Sequence, residues 1–186
     1  MKRLSLVFCS ALFALTVHAQ DVKFSAPDAS PADIVYYPLN AAKVKAGDNS
    51  TPMIKVVYSR PAKKGREIFG VLEPFGKVYR LGANESTEIR FFKPVVIGKK
   101  EIKAGAYSLF AIPNKDSWTI ILNKQTDRWG AYTYDASKDE VRVDVPVKPL
   151  ENVVENFSIT FVPQTDGASL VIGWDKTSVQ LPIQFK

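Results

Sequence analysis

Val141-Arg142-Val143-Asp144-Val145-Pro146-Val147 alternates apolar and polar residues without a break. Successive side chains of a strand point to opposite faces, so a period of two describes a strand with one face on a core and one in water. The same pattern runs through Phe157-Ser158-Ile159-Thr160-Phe161 and Val179-Gln180-Leu181-Pro182-Ile183-Gln184-Phe185. Pro has no N–H to give a ladder, so Pro146 and Pro182 mark edge strands or bulges. Shorter alternations set Ile54, Val56 and Tyr58 against Lys55, and Ile89 and Phe91 against Glu88 and Arg90.

Outward from these runs, Tyr107 to Ile112 and Trp118 to Leu122 have few polar positions, which places cover on both of their faces. Pro113-Asn114-Lys115-Asp116 between them reads as a hairpin turn. Gly98-Lys99-Lys100 links Val95–Ile97 to a short strand near Ile102, and Gly167 turns the chain between Phe157–Val162 and Leu170–Trp174. About ten strands and no long amphipathic helix predict an all-β fold, an antiparallel β-sandwich or jelly roll. A closed β-barrel with an internal pocket is the alternative. Residues 21–32 read as an N-terminal arm and 33–186 as a single β domain, with one strand at Ile34–Tyr37.

The chain has 186 residues, and its 46% hydrophobic and 24% charged content is that of an ordinary globular protein. Its start, MKRLSLVFCSALFALTVHAQ, has Lys2 and Arg3 before an apolar run from Leu4 to Val17, then Val17-His18-Ala19. A basic start, a short apolar run and small residues before a cut predict a signal peptide over residues 1–20 and an exported protein, periplasmic or extracellular. No later segment is apolar enough for a transmembrane span. Cleavage removes two cations from the +6 formal charge, along with Cys9 and His18, the one Cys and the one His.

Without either residue, the mature chain has no thiol nucleophile, no Ser-His-Asp triad and no thiolate or imidazole metal site. No disulfide supports the fold. Carboxylate, Lys and Tyr chemistry and oxygen-ligand metals remain open. Asp135 to Glu140 alternates oxygen donors, but its sixth position is Glu140 rather than Gly, so it reads as a turn. No cofactor, metal or catalytic residue is assigned. The modest basic excess is spread out and carries no nucleic-acid module. Asn49-Ser50-Thr51, Asn84-Glu85-Ser86 and Asn156-Phe157-Ser158 match the glycosylation triplet, which matters only in a eukaryotic host.

Three stretches hold candidate binding residues. Ser59 to Arg66 includes Arg60, Lys63, Lys64 and Arg66 beside Gly65, which suits an anion or simply a solvated basic loop. Gly76 to Thr87 concentrates Arg80, Asn84 and Glu85 in a loop between strands. That set suits a sugar or small polar ligand, or a closed network in which Arg80 or Arg60 pairs with Glu85. Asn123 to Tyr134 presents Trp129, Tyr132 and Tyr134 among polar residues. They form either a stacking platform for sugar rings or, if Trp129 folds back, a lid on the core.

Several motifs also resemble a bacterial family, the domain of unknown function 2911. They are Tyr58-Ser59-Arg60-Pro61, Lys64-Gly65-Arg66-x-Ile68-Phe69-Gly70, Pro74 to Glu85 (PFGKVYRLGANE) and Ala104 to Phe110 (AGAYSLF), with Asn123-Lys124 and Trp129-Gly130. Tyr79 and Leu81 stand where the family pattern has Trp and Thr. The resemblance implies an exported protein without an assigned activity, and it directs attention to Arg60, Arg66, Arg80, Asn84 and Glu85.

The function expected from these readings is a non-catalytic envelope protein that binds a glycan or small polar ligand. One alternative is a structural module that binds an envelope protein through a sheet edge or the arm. The other is a glycan hydrolase using Glu85 with Glu88 or Asp127. Strict alternation would set Glu85 and Glu88 on opposite faces if both lay in one strand.

Overall fold

A computed structural model describes residues 21–39 and 52–186. The expected leader over 1–20 and the Asn49-Ser50-Thr51 triplet lie outside the described residues. Among the described residues the strands are β1 (Ala32–Tyr37), β2 (Ile54–Ser59), β3 (Thr87–Phe91), β4 (Val95–Ile97), β5 (Lys100–Ile102), β6 (Gly105–Pro113), β7 (Ser117–Asn123), β8 (Asp139–Pro146), β9 (Lys148–Gln164) and β10 (Gly167–Phe185). A short 3-10 turn at Ala136–Lys138 leads into β8. One sheet has six strands in the order β1-β2-β3-β6-β7-β8, the other four in the order β5-β4-β10-β9. Every pairing is antiparallel. The fold is an all-β sandwich, and the sheets do not close into the alternative barrel.

Alternation selects the faces that meet. Ile54, Val56 and Tyr58 on β2, Ile89 and Phe91 on β3, and Phe157, Ile159 and Phe161 on β9 are all buried, while Lys55 and Glu88 are less covered and Arg90 is exposed. Phe157 is a hub of the core, its ring 5.9 Å from Tyr58, 6.0 Å from Tyr79 and 5.9 Å from Trp174. Phe69 joins the two sheets, 4.6 Å from Trp118 of β7 and 6.3 Å from Trp174 of β10. Strands β6 and β7 are covered on both faces as expected. Phe110 and Ile121 are buried on the outer side, with Tyr134 edge-on to Phe110 at 5.2 Å.

Turns fall where the sequence places them. Asn114 N donates to Ser117 O between β6 and β7. Gly98 (φ 57°) and Lys99 (φ 68°) form a two-residue turn between β4 and β5, with both residues in the left-handed region that such hairpins require. Pro146 ends β8, an edge strand.

β10 is one strand of 19 residues, where the sequence suggests two runs, Leu170–Trp174 and Val179–Phe185. A straight strand of that length would hold its ends about 60 Å apart. Instead Phe185 N donates to Asp166 O at 2.9 Å, and a Cβ on Gly167 would lie 2.0 Å from Ile183 O. The strand therefore doubles back, and Asp175 (φ 55°) sits at the reversal, where the β9 register also shifts. Its first half pairs with β9 and its end pairs with β4 through Gln184 and Phe185. Pro182 falls beyond the β9 ladder, which ends at Ser178, and before the β4 ladder. Its missing N–H is thus lost from neither.

Candidate functional site

The segment Gly82–Thr87 connects two strand-like runs and carries both Asn84 and Glu85. Asn84 adopts φ 58°, a left-handed conformation that Asn tolerates better than most residues. Its carbonyl accepts from Gly130 N at 2.9 Å, and Ser86 N donates to Arg128 O at 2.8 Å. Glu85 and Trp129 form a β-bridge between these bonds. Residues 84–86 and 128–130 are thereby stitched together, although they are far apart in sequence.

Beneath that stitch lies a cleft of about 310 Å³. Glu85, Glu88 and Asp127 line it, with Ser59, Ser86 and Ser108. The Ser86 and Ser108 hydroxyls are 3.1 Å apart and buried, so they form part of the wall. Glu85 and Glu88 do not lie in one strand, so the condition for opposite faces is not met: β3 begins only at Thr87, and Glu85 precedes it in the bridged loop. No group of three carboxylates that could hold a metal occurs among the described residues.

Trp129 is 61% exposed and Tyr132 81% exposed, so the lid on the core is ruled out. Tyr132 lies against the backbone of Gly130, whose added Cβ would be 2.9 Å from the ring. Trp129, bridged to the cleft residue Glu85, and Tyr132 on the same loop are thus open to solvent, although neither lines the cleft, whose wall also includes Ala32, Val57 and Tyr58.

The arginines do not converge on this cleft. Arg60 is tied into the fold: its Nη1 donates to Asp33 at 2.8 Å, its Nε to Phe157 O at 3.2 Å and its Nη2 to Ser158 Oγ at 2.9 Å. It fastens β2 to β1 and β9, and its carboxylate partner is Asp33, not Glu85 as the closed-network alternative allowed. Arg66 donates to Lys63 O and Ala62 O and so braces its own loop. Asn84 Nδ2 donates to Asp28 Oδ1 at 3.1 Å, which anchors the arm. The Ser30 N–H and that amide hold the Asp28 carboxyl below its usual range.

Arg80 is placed differently. Its Nε is buried without a partner, and its Nη1 lies 3.6 Å from the position of a Cβ on Gly130. Glu73, which no sequence pattern marks, shares a small hollow with Arg66 and Arg80. Burial pushes the Glu73 carboxyl up to about 7, against the pull of the Arg80 and Arg66 guanidiniums. Backbone bonds from Gly70 N to Glu73 O and from Glu73 N to Ile68 O close the tight loop that turns it inward.

The Asp135–Glu140 stretch is a turn only as far as Lys138, since Asp139 and Glu140 already belong to β8. Asp135 caps it through Ser137 N, Asp139 pairs with Arg142, and Glu140 pairs with Lys100 and Lys124.

The chain belongs to the family described as protein of unknown function (DUF2911), which matches residues 40–183. No curated protein and no solved structure matches it.

Proposed function

We propose that this is an exported, non-catalytic protein of the periplasm or cell exterior that binds a glycan or a small polar ligand at the Glu85–Trp129 cleft. The observation that carries the reading is the cleft lined by Glu85, Glu88 and Asp127, with the exposed Trp129 bridged to Glu85 at its edge. Aromatic faces stack on sugar rings, and carboxylates and serine hydroxyls take up the ring hydroxyls. Three carboxylates without a lining cation favour a neutral or cationic sugar over an acidic one. The volume lies at the lower end of the range for small-ligand sites, enough for one or two sugar units. Residues 1–20 supply the export signal in this reading, and no helix among the described residues is long and apolar enough to cross a membrane.

The test is titration calorimetry with a panel of neutral and amino-sugar oligosaccharides. Trp129→Ala and Glu85→Gln should each weaken the bound member about tenfold or more. Equal binding by wild type and both variants would place the ligand elsewhere.

One observation favours a second reading, a glycan hydrolase, because Glu85, Glu88 and Asp127 all line one cleft. Release of reducing ends from the same panel, lost in Glu85→Gln and Asp127→Asn, would decide for hydrolysis.

A further inference from the structure

On the other side of the Gly82–Thr87 segment we infer a second binding site, the hollow between Arg66, Glu73 and Arg80, which takes a small molecule through a carboxylate or phosphate group. It is independent of the glycan reading and has the opposite charge.

The hollow measures about 190 Å³ and is closed by Ser30 of the arm and Trp174 of β10. That is below the size of a whole small-ligand pocket and fits a ligand's anionic head. A wider recess of about 340 Å³ shares Ser30, Pro61 and Arg66 with it and brings Lys64 to the mouth. The ligand's body can extend there. Two cations, Arg66 and Arg80, thus share the hollow with one carboxyl, Glu73, and Lys64 lines the adjoining recess. Of the other acids of this region, Glu155 accepts from Lys64 N at 2.8 Å, Asp175 pairs with Lys63 at 3.4 Å, Asp28 accepts from Ser30 N and Asn84 Nδ2, and Glu67 is exposed beside Arg66.

The decisive residue is Arg80, which lines the hollow. Its Nε is buried and donates to nothing, although a charged N–H left without a partner is among the costlier things a fold can retain. A guanidinium takes up carboxylate or phosphate oxygens through paired N–H groups, and Nε, covered in the unliganded protein, joins that fork when the ligand displaces what covers it. Neither Arg66 nor Arg80 has an ion pair within 4.0 Å among the described residues. Burial raises the Glu73 carboxyl to about 7, so it is about half protonated at pH 7 and offsets the guanidinium charge only in part. Arg66 is held by Lys63 O and Ala62 O, so it is positioned before any ligand arrives.

Calorimetric titration of the protein with inorganic phosphate and with succinate, against chloride at equal ionic strength, tests the site. Binding of phosphate alone identifies a phosphate ester, and binding of succinate alone a carboxylate; either supports the site. Arg80→Met keeps the bulk and removes the fork. It should weaken the bound anion at least tenfold without lowering the unfolding midpoint. Glu73→Gln should tighten binding several-fold at pH 8, where the native carboxyl is ionised, and change it little at pH 5. If Arg80→Met does not fold, Arg66→Gln carries the same expectation of weakened binding. Glu85→Gln should leave anion binding unchanged, which separates failure here from failure of the glycan site. The site is overturned if neither anion binds above chloride, or if Arg80→Met binds as well as wild type. Greater stability of Arg80→Met with no anion binding by wild type would mean that the buried N–H faces an ordered water only.

Discussion

Arg60 spends three guanidinium donors on Asp33, Phe157 and Ser158, whereas Arg80 leaves Nε buried with none. Both are arginines in the connection between β2 and β3, and nothing in the residues beside them says which is a fastener and which a candidate ligand group. Arg60→Ala should cost about 1–2 kcal/mol in urea unfolding. That sums one bond to a buried carbonyl and a half-exposed ion pair worth little by itself. Sugar binding should stay as in wild type. An unchanged urea midpoint would return Arg60 to the ligand set. Glu73 gives a pH signature with a definite sign. Its folded carboxyl is raised from 4.5 to about 7, so the folded state holds the proton more tightly than the unfolded chain. The unfavourable contribution is absent below pH 4.5, grows between pH 4.5 and 7, and is constant above. Relative to Glu73→Gln, the wild type should lose stability over that window, by about 3 kcal/mol at most and less where the carboxyl still meets water. Parallel stability–pH curves for the two proteins would show that Glu73 ionises as freely folded as unfolded.

At the level of elements, period-two alternation located most strands because most have one covered face. It failed where a strand reverses within itself. Nothing in Trp174-Asp175-Lys176-Thr177 carries a Gly or Pro to announce that β10 turns back, and the left-handed Asp175 does the work instead. The β4–β5 turn was legible from Gly98, and its packing was not: a Cβ at Gly98 would lie 2.6 Å from Val143 Cγ2, across on β8. Gly98→Ala should therefore cost about 1–3 kcal/mol, from the left-handed backbone and the clash together. Lys99 occupies the same left-handed region with a full side chain, and Lys99→Gly should gain up to about 1 kcal/mol by relieving it. Thermal midpoints check both. Equal midpoints for wild type and Gly98→Ala would mean that the turn does not rest on β8.

Over the whole molecule, the sandwich was legible and the site only in fragments. A core face repeats every second residue along one strand, but each hollow draws on several distant segments. The acidic cleft needs residues from β2, the 84–88 stretch, β6 and the Asp127 loop, and the basic hollow needs the arm, three loops and β10. Glu85 and Trp129 stood out as polar and aromatic loop residues; Glu73 did not, since only the closed 68–73 loop carries it inward. The same loop supplies the part that joins the two layers. Phe69 is edge-on to Trp118 of the six-stranded sheet and to Trp174 of the four-stranded sheet, and the buried residues between the sheets form one cluster around them. Those two indoles are buried while Trp129 is open. In a Trp129→Phe protein, fluorescence therefore reports the interior of both layers. Unfolding followed by that fluorescence and by far-ultraviolet circular dichroism should give one coincident transition. Adding Phe69→Ala should lower stability by about 2–4 kcal/mol, the lower part of the range for Phe truncation because Phe69 is only partly buried. The transitions should stay coincident if the rest of the shared core suffices to couple the layers. Transitions that separate in the single variant would show that the sheets unfold independently, and residues 33–186 would then be two cooperative units rather than one.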